Sequence, residues 1–232
     1  MFRFFRKSFF VLLVLSVLLV SCVFQSDGSV AIFNPYAPGY IPNVPFARDL
    51  QIEINKVRDN PRNYAETVIE PRLAYYQGYL YTNFKGETVR TEEGKKAMQK
   101  CISNLKLLKT SKILHMEKGL CSATQYFADD HARTGSSLDY TSDGSDFEAL
   151  INRYGSVVGT NQEIAQLVQY GEKDIKDIVI SILVSDGDSS RKSRHILLDN
   201  VYSKVGIGFT SSSTACKGSV PVIYLAQTYA SH

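Results

Sequence analysis

Residues 174–209 read DIKDIVISILVSDGDSSRKSRHILLDNVYSKVGIGF. The spacing of Ile175, Ile178, Ile182 and Leu183 predicts a helix with one apolar face. Asp174 stands where an N-cap belongs, because its carboxylate can accept from a backbone N–H two or three residues on. Ser185-Asp186-Gly187 ends the helix, with Gly187 able to take a positive φ. Ser190-Arg191-Lys192-Ser193-Arg194 then reads as a loop crossing to Leu197-Leu198. Tyr202 and Val205-Gly206-Ile207-Gly208-Phe209 lead into a buried strand. A loop between two rigid elements is a natural place for a functional site; a solvated basic turn is the plainer reading.

The N-terminal end explains the overall charge. The chain carries 26 bases and 23 acids over 232 residues. Arg3, Arg6 and Lys7 precede an apolar run from Phe9 to Val20, the pattern of a secretory signal. The run is too short for an ordinary membrane-spanning helix. Without those three positives, 23 bases face 23 acids, which argues against a nucleic-acid binder. Residues 1–21 are expected to be a signal peptide. Leu19-Val20-Ser21-Cys22 resembles the bacterial lipobox, in which Cys22 becomes the lipidated first residue, carrying a palmitate-type acyl anchor. Each buried CH₂ of such an anchor contributes about 0.8 kcal/mol. The alternative is a signal cleaved nearby with Cys22 incidental, which would leave the protein secreted. Residues 22–45, with Pro35, Pro38, Pro42 and Pro45, read as the lipidated N-terminus and a tether. The localisation expected is the cell envelope or outer surface.

A domain is expected over residues 46–232. Phe46, Leu50, Ile54 and Val57 share one helical face. Asn60 caps a second short helix with Pro61 at its first position; Tyr64, Ala65 and Val68 face inward, and Glu70-Pro71 ends it. Residues 72–90, rich in Tyr and Gly, read as a long ordered loop. Thr91-Glu92-Glu93 begins a third helix, whose stripe is Ala97, Met98, Cys101, Ile102, Leu105 and Leu108. A fourth runs from Glu117 to Gly135 with Leu120, Ala123, Phe127, Ala128 and His131 inward. Ser145-Asp146-Phe147-Glu148 reads as a capping box opening a fifth. Ser219 to Tyr229 reads as a final strand. Helices followed by late strands predict an α/β sandwich.

Several of these segments, in order, resemble the CAP superfamily, also called the SCP domain, which includes cysteine-rich secretory, antigen 5 and pathogenesis-related proteins. They are Glu53 to Pro61 with Tyr64-Ala65, Thr91-Glu92-Glu93-Gly94, Ser142-Asp143-Gly144-Ser145, Asn152-Arg153-Tyr154-Gly155, Gln162-Glu163-Ile164, and Asp186 to Ile207. The resemblance covers residues 46–230. It implies a three-layer α-β-α sandwich in a single domain. It also implies a central cleft, which in the family usually carries two histidines and acids able to bind a divalent metal. Here Ser193 occupies one histidine position and Asp139 or Tyr140 the other, while Glu163 matches the acid. His195 lies two residues beyond Ser193.

The cleft candidates are therefore Glu163, Ser193, Asp139, Tyr140, His195 and His131. A catalytic zinc normally needs three protein ligands, which this pattern does not supply, so neither metal nor cofactor is expected. His131, on an apolar helix face, reads as a packed, hydrogen-bonded side chain. Glu163 has a plain reading of its own, a buried acid held by backbone amides. A Ser193–His195–Glu163 hydrolase is the sharp alternative, but residues two apart on an irregular loop seldom place nucleophile and base together. Cys101, Cys121 and Cys216 remain after Cys22, and one disulfide with one free thiol is as compatible as packed thiols. The function expected is a membrane-anchored, non-enzymatic binding module for a lipid, a sterol or a protein partner. The alternatives are a metal-dependent or serine hydrolase and a structural envelope protein.

Overall fold

The computed structural model describes residues 23–24, 30–31, 44–154, 163–171, 174–212 and 218–226. The expected signal peptide, Cys22, most of the tether, Gly155, Gln162, Cys216 and His232 lie outside the described residues. The chain divides into two units, residues 1–35 and 36–232. In the first, β1 (Val23–Phe24) pairs antiparallel with β2 (Val30–Ala31).

The second unit opens with α1 (Val44–Asp59), whose Leu50, Ile54 and Val57 are fully buried. Asn60 caps α2 (Pro61–Tyr64) by accepting from the Asn63 N–H at 3.0 Å. Glu70-Pro71 does not end the helical path. A π-helical turn (Ala65–Ile69) and a 3-10 stretch (Glu70–Tyr75) carry it on, with Pro71 at the start of the latter, where it removes no needed donor. The expected loop over residues 72–90 instead contains a small antiparallel sheet: β3 (Tyr76–Gln77), β4 (Leu80–Thr82) and β5 (Thr88–Arg90). Strands of two or three residues are too short to show a period.

Helix α3 (Lys95–Leu105) begins later than Thr91. The acids before it do other work: the Glu92 and Glu93 N–H groups donate to the Asp186 carboxylate, at 2.5 and 3.0 Å. Leu108 falls beyond α3 and is exposed. After β6 (His115–Met116), Glu117 caps α4 (Lys118–Thr134), and Gly135 closes it at φ 73°. The cap of α5 (Phe147–Tyr154) is Asp146, accepting from Ala149 N–H at 2.8 Å, one residue later than the expected Ser145. A strand not foreseen, β7 (Ile164–Val168), precedes α6 (Ile175–Val184). Asp174 caps α6 as its position implies, and Ser185 takes the left-handed conformation that ends it. Helix α7 (Lys192–Leu198) stands where an arginine-rich loop was expected.

The main sheet has the order β6-β8-β9-β7, with β8 (Lys204–Ser212) and β9 (Gly218–Ala226) at its centre. Alternation along the strands divides it between two cores. Val205, Ile207, Ile223 and Leu225 pack with residues of α1, α3 and α6. Val222, Tyr224 and Ala226 pack with α4 and α5. This is the three-layer α-β-α sandwich.

Two glycines set the spacing of one layer. A Cβ on Gly206 would lie 2.2 Å from the Leu120 carbonyl carbon, and one on Gly208 2.4 Å from that of Thr124. Helix α4 therefore crosses β8 at backbone contact, which only glycine permits. Helix α6 is apolar nearly all round, with Ile178, Val179, Ile180, Ile182, Leu183 and Val184 buried, so it is a central core helix rather than an amphipathic one.

Candidate functional site

The basic segment that draws attention in the sequence turns inward. Arg191, with φ 52°, sends one guanidinium nitrogen to the Ser185 carbonyl at 2.6 Å and another to Glu93 at 2.6 Å. Arg194 donates to the Leu183 carbonyl, and to that of Val184 at 3.3 Å. Both are buried, so the turn is not a solvated basic one. They satisfy carbonyls left open at the end of α6, where cations are also favoured by the helix dipole. Arg58 does the same one step on. Fully buried, it donates to the carbonyls of Lys112 (2.7 Å), Leu197 (2.5 Å), Asp199 (3.0 Å) and Tyr202 (3.0 Å). These arginines build the frame beside which the cleft forms.

That cleft has a volume of about 620 Å³, within the range of about 300–1,000 Å³ common for small-molecule sites. Strand β7 and the residues after it give Ile164, Ala165, Gln166, Val168 and Tyr170; α7 gives Lys192 and Ile196. Ser137, Asp139, Phe147 and Tyr202 complete the wall. Most of this lining is apolar or aromatic. Its charges are few: Lys192 and Asp139 make no ion pair among the described residues. The Oε1 of Gln166 is buried and accepts no hydrogen bond among the described residues. An acceptor left in that state costs about 1–3 kcal/mol. Burial, with Asp199 and Glu163 nearby, pushes the Tyr202 phenol up and keeps it protonated.

The sequence-derived candidates divide sharply. Asp139 lines the cleft. Tyr140 is half exposed and contributes its carbonyl rather than its ring. His131 is fully buried, stacked on Phe127 with ring centroids 3.9 Å apart. Its Nε2 lies 3.2 Å from the Tyr140 carbonyl and its Nδ1 3.0 Å from the Tyr170 hydroxyl. A carbonyl only accepts, so Nε2 carries the proton and Nδ1 accepts from Tyr170. Burial lowers the His131 pKa and favours this neutral form. His131 thus stands behind the cleft wall and positions Tyr170, which lines it.

Glu163 is exposed, not a buried acid held by amides. Its charge nonetheless reaches Tyr202. Ser193 is half-buried and His195 exposed on the same short helix. Two positions along an α-helix turn the side chains about 200° apart. Ser193 and His195 therefore diverge, and they do not form a nucleophile–base pair. Gln166, Tyr170, Lys192 and Ile196 were missed in the sequence. The signal that could have found Gln166 and Tyr170 is the alternation Ile164, Gln166, Val168, Tyr170 along one side of β7 and its continuation.

The donor set does not fit the divalent metal that the resemblance implies. Among the described residues no three His, Cys, Asp or Glu side chains converge. The ring nitrogens of His131 already face Tyr170 and Tyr140. Cys101 and Cys121 are both free and buried, and burial pushes each thiol up to about 11, so neither is a ready thiolate.

A family model described as CAP, the cysteine-rich secretory protein family, matches residues 103–229. No curated protein matches the chain. An outer surface protein from Borrelia burgdorferi aligns over 50% of this chain and 78% of its own, at 13% identity and TM-score 0.40. An extracellular protein containing an SCP domain from Bacillus anthracis str. Ames aligns over 58% of this chain, at 10% identity and TM-score 0.41. This chain spans only 38% of that second protein.

Proposed function

The chain belongs to the CAP family, and we propose that it is an exported, lipid-anchored binding module whose cleft takes an amphipathic lipid or sterol. The observation that carries this is the cleft of about 620 Å³, where Phe147, Ile164, Val168 and Ile196 share the wall with the polar Ser137, Asp139, Gln166 and Lys192. Phe147, Ile164, Val168 and Ile196 would cover a hydrocarbon skeleton, gaining about 25 cal/mol for each Å² removed from water. Lys192 would hold an anionic headgroup if one were present. The signal pattern and Cys22 support export and anchoring, and the residues from 22 to 45 would carry the domain off the membrane.

Hydrolysis is the weaker reading, because Ser193 and His195 point apart and Glu163 is exposed. Membranes bearing the full chain would be incubated with photoactivatable fatty-acid and sterol analogues, irradiated, and the labelled peptides mapped by mass spectrometry. Labelling within residues 164–170 and 192–202, competed by unlabelled lipid, is expected. Labelling spread evenly over the surface, or none, would defeat the proposal.

A further inference from the structure

A second concavity lies between the small sheet and α6, away from the cleft just described. Its volume is about 240 Å³, and its lining includes Asp177, Asp186, Tyr76, Tyr81, Met98 and Val184. Asp177 is only 4% exposed. Its two carboxylate oxygens share a single donor, the Phe84 N–H, at 3.0 and 3.2 Å. Among the described residues it makes no ion pair. The cation best placed to neutralise it is committed elsewhere: Arg72 donates to the Tyr81 hydroxyl (3.1 Å) and the Thr82 carbonyl (2.5 Å). Its guanidinium is also clasped by the rings of Tyr75 at 3.9 Å and Phe84 at 4.2 Å, with the Tyr81 ring further off at 5.5 Å. A buried carboxylate with one hydrogen bond is costly unless a cation reaches it. Burial accordingly raises the Asp177 pKa to about 6.

Arg90, which is exposed, also lines the pocket, and the remaining lining is suited to such a cation. Tyr76 and Tyr81 present adjacent rings, centroids 4.9 Å apart and tilted by 32°. Ring faces attract cations, by up to about 2 kcal/mol when the pair is desolvated. Asp186 adds a second carboxylate, fixed by the Glu92 and Glu93 N–H groups. Its charge is felt by Tyr76. Met98 and Val184 are buried and offer the apolar contact that alkyl groups on nitrogen require. The volume equals roughly eight waters at about 30 Å³ each, enough for a small ion and too little for a lipid chain. We propose that this pocket binds a small organic ammonium ion, with Asp177 and Asp186 as counter-ions and Tyr76 and Tyr81 as its aromatic wall.

The test uses the full chain in non-ionic detergent, titrated with choline chloride and ethanolamine hydrochloride at constant ionic strength. The neutral isostere 3,3-dimethylbutan-1-ol is the control. Calorimetry should show one saturable site for an ammonium ion and none for the isostere. Asp177→Asn, whose amide oxygen can still accept from Phe84, should weaken binding roughly tenfold or more without lowering the thermal midpoint. Tyr76→Leu should weaken it severalfold without removing the charge. Affinity should fall as pH drops below about 6, with Asp177 titrating in the presence of Asp174, Asp186, Arg72, Lys85 and Arg90. No saturation by either ion at millimolar concentration would overturn the proposal. So would equal binding of the isostere, or affinity unchanged in Asp177→Asn. A failed lipid-labelling experiment at the larger cleft would leave this result untouched.

Discussion

The turn between α6 and α7 and the cleft beside it use charge in opposite ways. In the turn, Arg191 and Arg194 are buried and their donors end on helix carbonyls and Glu93. In the cleft, Lys192 and Asp139 line an open volume and make no ion pair among the described residues. Arg191 and Lys192 are adjacent in sequence, yet one secures the fold and the other faces the space a ligand would fill. What separates them is the backbone. Arg191 sits in the left-handed region just before α7, so its side chain returns to α6, while Lys192 begins the new helix and faces out.

The contrast breaks most visibly at the buried arginines. Arg58→Ala should cost about 4 kcal/mol, since each of four carbonyls loses a charged donor at about 1–3 kcal/mol before rehydration relieves part of it. Arg194→Ala should cost about 2 kcal/mol by the same reasoning with two carbonyls. Urea unfolding would check both. If either midpoint stayed in place, the arginines would not be framing the turn.

Acid titration sharpens the same comparison. The Arg191 guanidinium holds Glu93 down at about 2, below its ordinary 4.5. The stability Glu93 contributes is present above 4.5 and is lost as pH falls toward about 2. Asp177 works the other way: burial raises it from 3.8 to about 6, so its contribution is present below 3.8 and lost as pH rises through about 6. Glu93→Gln should therefore flatten the acid side of the thermal-midpoint profile, and Asp177→Asn should raise the midpoint at neutral pH. Profiles parallel to the wild type for both variants would refute these assignments.

The smallest effect is expected in the cleft. Lys192→Ala and Asp139→Asn should each change stability by less than about 0.5 kcal/mol, as exposed substitutions normally do. A larger loss, read from the same urea curves, would mean these charges hold the fold as Arg194 does.

Helix faces were legible in the sequence because burial follows their period: α1, α4 and the caps Asn60 and Asp174 lie where spacing put them. The sandwich was legible through motif order. The small sheet was not, because β3 to β5 carry at most three residues each. Helix α7 was hidden by its polar start, since Lys192, Ser193 and Arg194 give no apolar repeat until Ile196 and Leu197 arrive. The cleft was half legible. Asp139 was found through the family pattern, but Gln166 and Tyr170 depend on an edge strand, and His131 supports rather than lines the site. Ser193 and His195 shared a segment on paper and were parted by helical twist.

The measurement closest to the central claim is equilibrium binding of a fluorescent fatty acid or sterol by the full chain reconstituted in vesicles. Wild type would be compared with Ile196→Asp, Val168→Asp, Ser193→Ala and His195→Ala. One site per chain is expected, weakened roughly tenfold or more by a carboxylate placed at Ile196 or Val168 and unchanged by the other two. Binding lost in Ser193→Ala or His195→Ala but retained in Ile196→Asp would contradict the account and return the site to the serine–histidine pair.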